Sequence, residues 1–228
     1  MAECISGISS MAMRQILSEL AEAHRDATGE RVVVESVGGV DAARRVEAGE
    51  LFDFVVLAAE SIGRLEDQGF LDPDTRTDLA RSRVAIAVRA GARRPPNGSE
   101  RDVRDALLAA AKVGYSTGPS GRHLQRLLDR WGVAEAMAPR LLQALPGVPV
   151  GTMVARGEVE LGFQQLSELI NLPEVDVVGA LPPEIQEVTV FSGAVCVGSA
   201  RPAAAKALLR SWASTDTAAI KRRHGMEP

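Results

Sequence analysis

The sequence predicts an α/β protein in which mainly parallel sheets are flanked by helices. The first observation is that apolar, β-branched stretches such as residues 31–37 and 53–58 alternate with amphipathic, helix-like segments. This alternation is typical of parallel sheets covered on both faces. The second observation is that three strand-to-helix transitions pass through corners rich in Ser or Gly, at residues 8–10, 37–39 and 119–123. Together they indicate repeated β-α units whose helices begin at similar corners.

The first third of the chain predicts successive β-α units. Residues 10–28 place Ile16 and Leu20 on one apolar helix face, and Gly29 follows as a helix stop. The other elements of this part are a strand at 31–37, a helix at 41–48, a strand at 53–58 and a helix at 61–68.

The rest of the chain repeats this alternation with its own elements. The predicted strands lie at 84–88, 113–116, 159–164, 175–178 and 188–197. The predicted helices lie at 99–111, 121–131, 150–156, 202–213 and 217–223. One continuous sheet and two lobes both fit this order. We expect two, with residues 1–83 and 189–228 in lobe 1 and residues 84–188 in lobe 2, because each part has enough elements for its own core.

Composition restricts the class of partner. The 228 residues are 46% hydrophobic and 25% charged, which is ordinary for a globular protein. Aromatic residues make up 4% of the chain, the net charge is −4, and the basic residues are scattered. Since nucleic-acid binding needs a basic footprint and stacking rings, no nucleic-acid partner is expected.

Cysteine and histidine usage predicts neither a disulfide framework nor a metal site. Cys4 and Cys196 lie far apart in the sequence and are expected to be two buried thiols. His24, His123 and His224 form no metal-ligand spacing. We therefore expect no metal and no cofactor.

The first residues contain no basic segment followed by an apolar run, so no signal peptide is predicted. As written, the chain is expected to be cytoplasmic. A trimmed form of an exported protein would begin in the same way and would be periplasmic. No apolar stretch reaches membrane-spanning length, so membrane insertion is not expected.

The corners indicate an anion site. The first turn of a helix has unpaired N–H groups and the positive end of a dipole, and several such turns facing one point attract negative charge. The candidate ligand contacts at the corners are Ser9, Ser10, Gly38, Gly39, Ser120 and Gly121. The Ser residues also fit helix caps and the Gly residues fit tight turns, and these uses are compatible with ligand binding. The corners predict a receptor, or an enzyme, for a small anion.

Five segments in a fixed order carry a resemblance to a known family. They are residues 9–11, 47–57, 119–121, 157–162 and 198–207. In this order they resemble the type 2 periplasmic solute-binding proteins, most closely the molybdate-binding branch. The resemblance implies two α/β lobes joined by crossover strands, with an anion held in the cleft and trapped by hinge closure. It also implies an ABC transporter permease as a partner.

The chain departs from this family at the site. Gly38 and Gly39 stand where the family usually offers a Ser hydroxyl, and Gln164 and Gln165 lie in the stretch that usually leads to a Tyr. At the third corner, Arg122 and His123 add a cation and an imidazole. A carboxylate suits an arginine, which forms a bidentate pair. These four side-chain positions, 122, 123, 164 and 165, join the predicted ligand contacts, and an organic acid becomes an alternative to molybdate.

Three functions fit these observations. The first is a solute-binding protein that carries a small anion, either an oxyanion or a small carboxylic acid, and does no chemistry. The second is a cofactor-free isomerase of a di- or tricarboxylic acid, similar to aconitate isomerases, with His123 or Glu168 as the base and helix N-termini stabilising the developing charge. The third is a ligand-sensing module that acts through a partner. We rank the solute-binding protein first, because no catalytic constellation is evident.

Overall fold

The computed structural model describes residues 4–145 and 147–228. The chain divides into two compact units. Unit 1 comprises Met1–Arg81 and Thr189–Pro228, and unit 2 comprises Ser82–Val188. The boundaries between the units thus follow residue 81 and residue 188.

The elements alternate along most of the chain, as β-α units do. The strands are β1 (Ile5–Ser10), β2 (Val32–Val37), β3 (Phe54–Ala58), β4 (Leu71–Arg89), β5 (Val113–Tyr115), β6 (Leu141–Gln143), β7 (Leu161–Gln165), β8 (Val175–Ala180), β9 (Val188–Cys196) and β10 (Met226–Glu227). The helices are α1 (Arg14–Thr28), α2 (Gly39–Glu47), α3 (Ala59–Asp67), α4 (Glu100–Ala109), α5 (Pro119–Arg130), α6 (Ala134–Met137), α7 (Val150–Ala155), α8 (Leu166–Leu169), α9 (Pro202–Ala213) and α10 (Ala218–Arg223).

The sheet of unit 1 is parallel where the first β-α units meet. β1 pairs in parallel with both β2 and β3, and β3 pairs antiparallel with β9. Phe54 and Trp212 are buried in the core of this unit with their rings edge to face and their centroids 5.5 Å apart. A Cβ at Gly7 would lie 2.3 Å from the Phe54 ring, so only glycine fits there. Because β1, β2 and β3 run in the same direction, their carboxyl ends share one edge of the sheet.

Unit 2 has its own sheet and its own core. β5 lies between β6 and β7 and is parallel to both, whereas the part of β4 in this unit pairs antiparallel with β7 and β8. Phe163 and Leu124 are fully buried in this core. The carboxyl ends of β5 and β7 therefore also share an edge, from which α5 and α8 begin.

Several elements differ from their predicted extent. β4 begins at Leu71, well before the predicted strand at 84–88. Its first half contains Pro73 and several charged residues, a composition that does not favour a strand. The short elements β6, α6, α8 and β10 were not predicted. Residues 11–13 form a 3-10 turn ahead of α1. Ser99 caps α4 as predicted, with its hydroxyl accepting from the Asp102 N–H at 3.2 Å.

The two cysteines are free thiols. Cys196 is buried, and burial raises the pKa of its thiol to about 12. Cys4 is partly exposed, contrary to the expectation that both would be buried. Cys4 immediately precedes β1, which begins at Ile5.

Candidate anion-binding site

Ser9 joins the first two strands of unit 1 at their carboxyl ends. Ser9 on β1 and Ser36 on β2 are register partners, and their hydroxyl oxygens lie 2.8 Å apart. The Ser9 hydroxyl also lies 3.3 Å from the carbonyl oxygen of Ser10, and Ser9 is fully buried. Its hydroxyl is therefore occupied by this chain, and Ser9 supports the corner rather than presenting a free donor.

Ser10 differs from its neighbour. Ser10 is only 7% exposed, yet its hydroxyl has no hydrogen-bond partner among residues 4–145 and 147–228. It precedes the 3-10 turn at residues 11–13 but makes no capping hydrogen bond. A buried hydroxyl left unpaired costs roughly 1–3 kcal/mol. This cost is recovered when a ligand accepts the hydrogen bond.

The N-terminus of α2 lies beside Ser10. Gly38 precedes the helix and Gly39 is its first residue. A Cβ added at Gly39 would lie 3.5 Å from the Ser10 Cβ, so the start of the helix is a direct neighbour of the Ser10 side chain. The first-turn N–H groups of a helix have no partner within the helix. Asp41, also in this turn, is paired with Arg44 at 2.9 Å. The φ of Gly38 is −55°, which any residue can adopt, so the backbone does not require glycine at this position. What glycine contributes here is the absence of a side chain next to the helix start.

A second group of donors lies at the start of α5 in unit 2. The hydroxyl oxygens of Ser116 and Ser120 are 3.2 Å apart, and the Gly118 N–H donates to Ser116 at 3.3 Å. Ser120 and Gly121 are buried. A Cβ at Gly121 would lie 1.7 Å from the Ser116 carbonyl oxygen, so this turn admits only glycine. Ser116 was missed by the sequence reasoning, although its position at a strand end four residues before Ser120 was a usable signal.

His123 does not reach a ligand through a free ring nitrogen. Its Nε2 lies 2.6 Å from the Ile185 carbonyl oxygen and its Nδ1 lies 3.1 Å from Glu187. Glu187 also pairs with Arg126. The ring thus ties α5 to residues 185–187, in place of the predicted hydrogen bond to the ligand. Arg122, its neighbour in the same first turn, is partly exposed.

Gln164 is bound at both ends of its amide. The Gly151 N–H donates to its Oε1 at 3.2 Å, and its Nε2 donates to Glu168 at 2.7 Å. Gln165, the last residue of β7, is buried beside the start of α8. The side chains at the predicted contact positions 164 and 165 are therefore buried within unit 2, and the Gln164 amide is bonded to the Glu168 carboxyl group.

Glu168 is partly exposed, and among the described residues no salt bridge to its carboxyl group is found. Burial raises its pKa to about 8, and the hydrogen bond from Gln164 acts in the opposite direction. Its helix α8 packs against β7 and β8. The sequences of β7 and of the adjacent α7 carry no ionisable side chain. On β8 the one ionisable residue, Asp176, bonds instead to the Gly91 N–H and to Arg94, each at 3.2 Å.

The described residues offer donors for an anion rather than ligands for a metal. Within residues 4–145 and 147–228, no three His, Cys, Asp or Glu side chains are grouped so that they could hold a metal ion. None of the described helices combines the length and the apolar character that crossing a membrane requires. Hydroxyl groups beside helix N-termini can hold an oxyanion or a carboxylate through hydrogen bonds and the helix dipole.

The chain has the α/β fold of the two-lobe class of binding proteins. It belongs to the family described as bacterial extracellular solute-binding protein, whose family model matches residues 5–227. This confirms the family resemblance in the sequence.

Similar proteins include both an enzyme and binding proteins. A protein from Pseudomonas sp. named aconitate isomerase is 36% identical over 232 residues, which cover 97% of this chain and 86% of the relative. The Azotobacter vinelandii periplasmic molybdate-binding protein superposes with a TM-score of 0.82 at 20% identity, covering 98% of this chain and 99% of the other. The sulfate-binding protein SubI from Mycobacterium tuberculosis H37Rv gives a TM-score of 0.79 at 19% identity, covering 99% of this chain and 86% of that one. At these identities the two structures support the fold alone.

Proposed function

We propose that this chain binds a small anion, either an oxyanion or a small carboxylic acid, as a solute-binding protein. The observation that carries the proposal is the buried Ser10 hydroxyl, which has no partner in the described chain and lies beside the N-terminus of α2. A negatively charged oxygen at this point would accept from the hydroxyl and from first-turn N–H groups together. The solute-binding family supports the same class of ligand, and two proteins that share the fold are named as binders of molybdate and of sulfate.

The proposal extends to how the ligand is used. Solute-binding proteins of this fold pass their ligand to an ABC transporter permease, and we propose that partner here. Unit 1 offers Ser10 and α2, and unit 2 offers Ser120 and α5. That both groups serve one ligand in an interlobe cleft stays a prediction.

A thermal-shift panel tests the binding proposal. The purified chain is heated with molybdate, sulfate, aconitate and a set of small di- and tricarboxylates, with chloride at equal ionic strength as the control. A ligand at 100 times its Kd adds about 2.7 kcal/mol to the free energy of unfolding, so a true ligand raises Tm clearly. A panel in which no anion raises Tm at millimolar concentration contradicts the proposal.

A second function has its own support, namely isomerisation of a small di- or tricarboxylic acid. The relative named aconitate isomerase matches 97% of this chain at 36% identity, and Glu168 offers a carboxyl group whose pKa lies near 8. The chain would bind the acid through the same donors and then move a proton within it. Proton NMR of aconitate with the protein in heavy water distinguishes the two functions. A receptor leaves the spectrum unchanged, whereas an isomerase interconverts the isomers.

A further inference from the structure

Glu168 lies at the same sheet edge as the anion donors of unit 2. β5 and β7 are parallel neighbours, with Tyr115 opposite Phe163 in the register. The chain leaves β5 toward the start of α5, and it leaves β7 directly into α8, which contains Glu168. Parallel strands bring their carboxyl ends together. An acid group and the N-terminus of α5 are therefore presented on one edge.

The surroundings of Glu168 keep it protonatable. Its carboxyl accepts a hydrogen bond from Gln164 at 2.7 Å, and β7 and β8, the described strands that pack on α8, contain no Lys or Arg. The carboxyl group of Glu187, in contrast, has cationic partners, since it is paired with Arg126 and with His123 on α5. A general acid-base group works best when it can exchange its proton near the working pH.

Gln164 holds the orientation of this carboxyl. Its Oε1 is fixed by the Gly151 N–H at 3.2 Å, which directs its Nε2 toward Glu168. Gln164 is 1% exposed, so water does not compete strongly for these bonds. Gln164 is accordingly a positioning residue.

We propose that Glu168 is the catalytic residue that carries the proton in an allylic isomerisation of a bound, unsaturated di- or tricarboxylic acid. The proposal rests on the isomerase function above. Of the two candidate bases, Glu168 is favoured over His123, because both ring nitrogens of His123 are already in contact with Ile185 and Glu187.

The step balances without a cofactor. Ionised Glu168 removes a proton from the saturated carbon next to the double bond and to a carboxylate, so a C–H bond breaks and an O–H bond forms on Glu168. The electron pair forms a new double bond, and the pair of the old double bond moves to the far carbon. That carbon takes the proton back from Glu168, which regenerates the carboxylate. The N–H groups at the start of α5 stabilise the negative charge that spreads onto the substrate carboxylate.

The test compares Glu168→Gln with Glu184→Gln, a variant of an exposed glutamate in the same unit. Isomerisation of aconitate and uptake of deuterium from heavy water are followed by NMR, and affinity is measured by calorimetry. General acid-base catalysis contributes about 10²–10⁴-fold. We expect Glu168→Gln to lose at least about 100-fold in turnover with affinity within about threefold. Glu184→Gln should match the wild type in both.

Each other outcome is decisive. Turnover of Glu168→Gln within about threefold of the wild type overturns the assignment. Wild-type chain that binds aconitate without converting it also overturns the assignment and leaves the binding proposal standing, whereas no binding of any anion overturns the binding proposal itself. If Glu168→Gln does not fold, the pH profile of wild-type turnover decides. A rise with an inflection near pH 8 supports Glu168, and a flat profile between about pH 6 and 9 contradicts it.

Discussion

Gly39 and Ser10 are in van der Waals reach of each other, since a Cβ on Gly39 would lie 3.5 Å from the Cβ of Ser10. The two residues come from the ends of different β-α units, which the parallel pairing of β1 and β2 brings side by side. The residue that carries the unpaired buried hydroxyl therefore lies next to a helix N-terminus. This proximity is the physical basis of the proposed anion site.

Gly39→Ala should weaken anion binding about tenfold, which corresponds to about 1.4 kcal/mol. The new methyl group would meet Ser10 at ordinary van der Waals distance, so the fold tolerates it. It would, however, fill space next to the hydroxyl that the ligand needs. Isothermal titration with the best anion of the panel measures the effect.

Gly63→Ala is the matched control, since it adds the same methyl group within α3, at 3.6 Å from Arg76. Alanine is a better helix former than glycine, so this variant should gain about 0.5–1 kcal/mol of stability and keep its affinity. Equal affinity of the Gly39→Ala and wild-type chains would remove the start of α2 from the site.

Asp53→Ala should destabilise the protein by about 2–3 kcal/mol. The Asp53 carboxylate accepts from the Ser6 N–H at 2.8 Å, from the Ser199 hydroxyl at 2.7 Å and from the Arg201 N–H at 3.2 Å. Removing it leaves these donors without an acceptor. Urea unfolding at pH 7 measures the loss. Asp67→Ala, at an exposed helix end, should change stability by less than about 0.5 kcal/mol, and an equal loss in both variants would contradict the account.

Asp53 also predicts a loss of stability in acid. Burial alone would raise the pKa of this carboxyl, but the hydrogen bonds from Ser6 and Ser199 more than compensate, and the pKa is lowered. The stabilisation is therefore present above the unfolded value of about 3.9 and is lost as the pH falls through the lower folded value. Urea midpoints between about pH 5 and 2 should fall more steeply in the wild type than in Asp53→Ala. Parallel curves would show that Asp53 does not contribute.

The titration of Glu168 should have the opposite effect on how the free energy of unfolding changes with pH. Its pKa is about 8 in the folded chain, mainly because of burial, and about 4.3 when the chain is unfolded. Between these values the folded state binds more protons, so the free energy of unfolding falls as the pH rises. Glu168→Gln keeps the acceptor for Gln164 and removes the titration, so its stability should change less between about pH 5 and 8. If the stability of the wild type and of Glu168→Gln depended on pH in the same way, the Glu168 carboxyl group would be fully solvated rather than buried.

The β-α order of the fold could be predicted from the sequence because local patterns encode it. β-branched runs mark β2 and β3, and the glycine after α1 adopts the left-handed φ of 75° that a helix stop requires. β4 could not be predicted in full. Its first half is polar and contains Pro73, and its strand geometry comes from pairing with distant strands rather than from its own residues.

The candidate site was predictable as corners but not as individual contacts. Ser9 and Ser10 are equivalent in sequence, yet one hydroxyl bonds to Ser36 and the other has no partner in the described residues. Successive strand residues point to opposite faces, and the sequence does not show which face meets a neighbour. The sequence likewise does not show that the His123 ring contacts the carbonyl oxygen of Ile185, because Ile185 is distant in the chain.

The calorimetric affinity of Ser10→Ala for the anion that stabilises the wild type most tests whether the Ser10 hydroxyl binds the ligand. Ser18→Ala, which removes an exposed hydroxyl from α1, is the control. A hydrogen bond to a charged group contributes about 1.5–3 kcal/mol, so Ser10→Ala should bind at least about tenfold more weakly, and Ser18→Ala should bind like the wild type. Wild-type affinity in Ser10→Ala would contradict the claim that the unpaired hydroxyl of Ser10 holds the ligand.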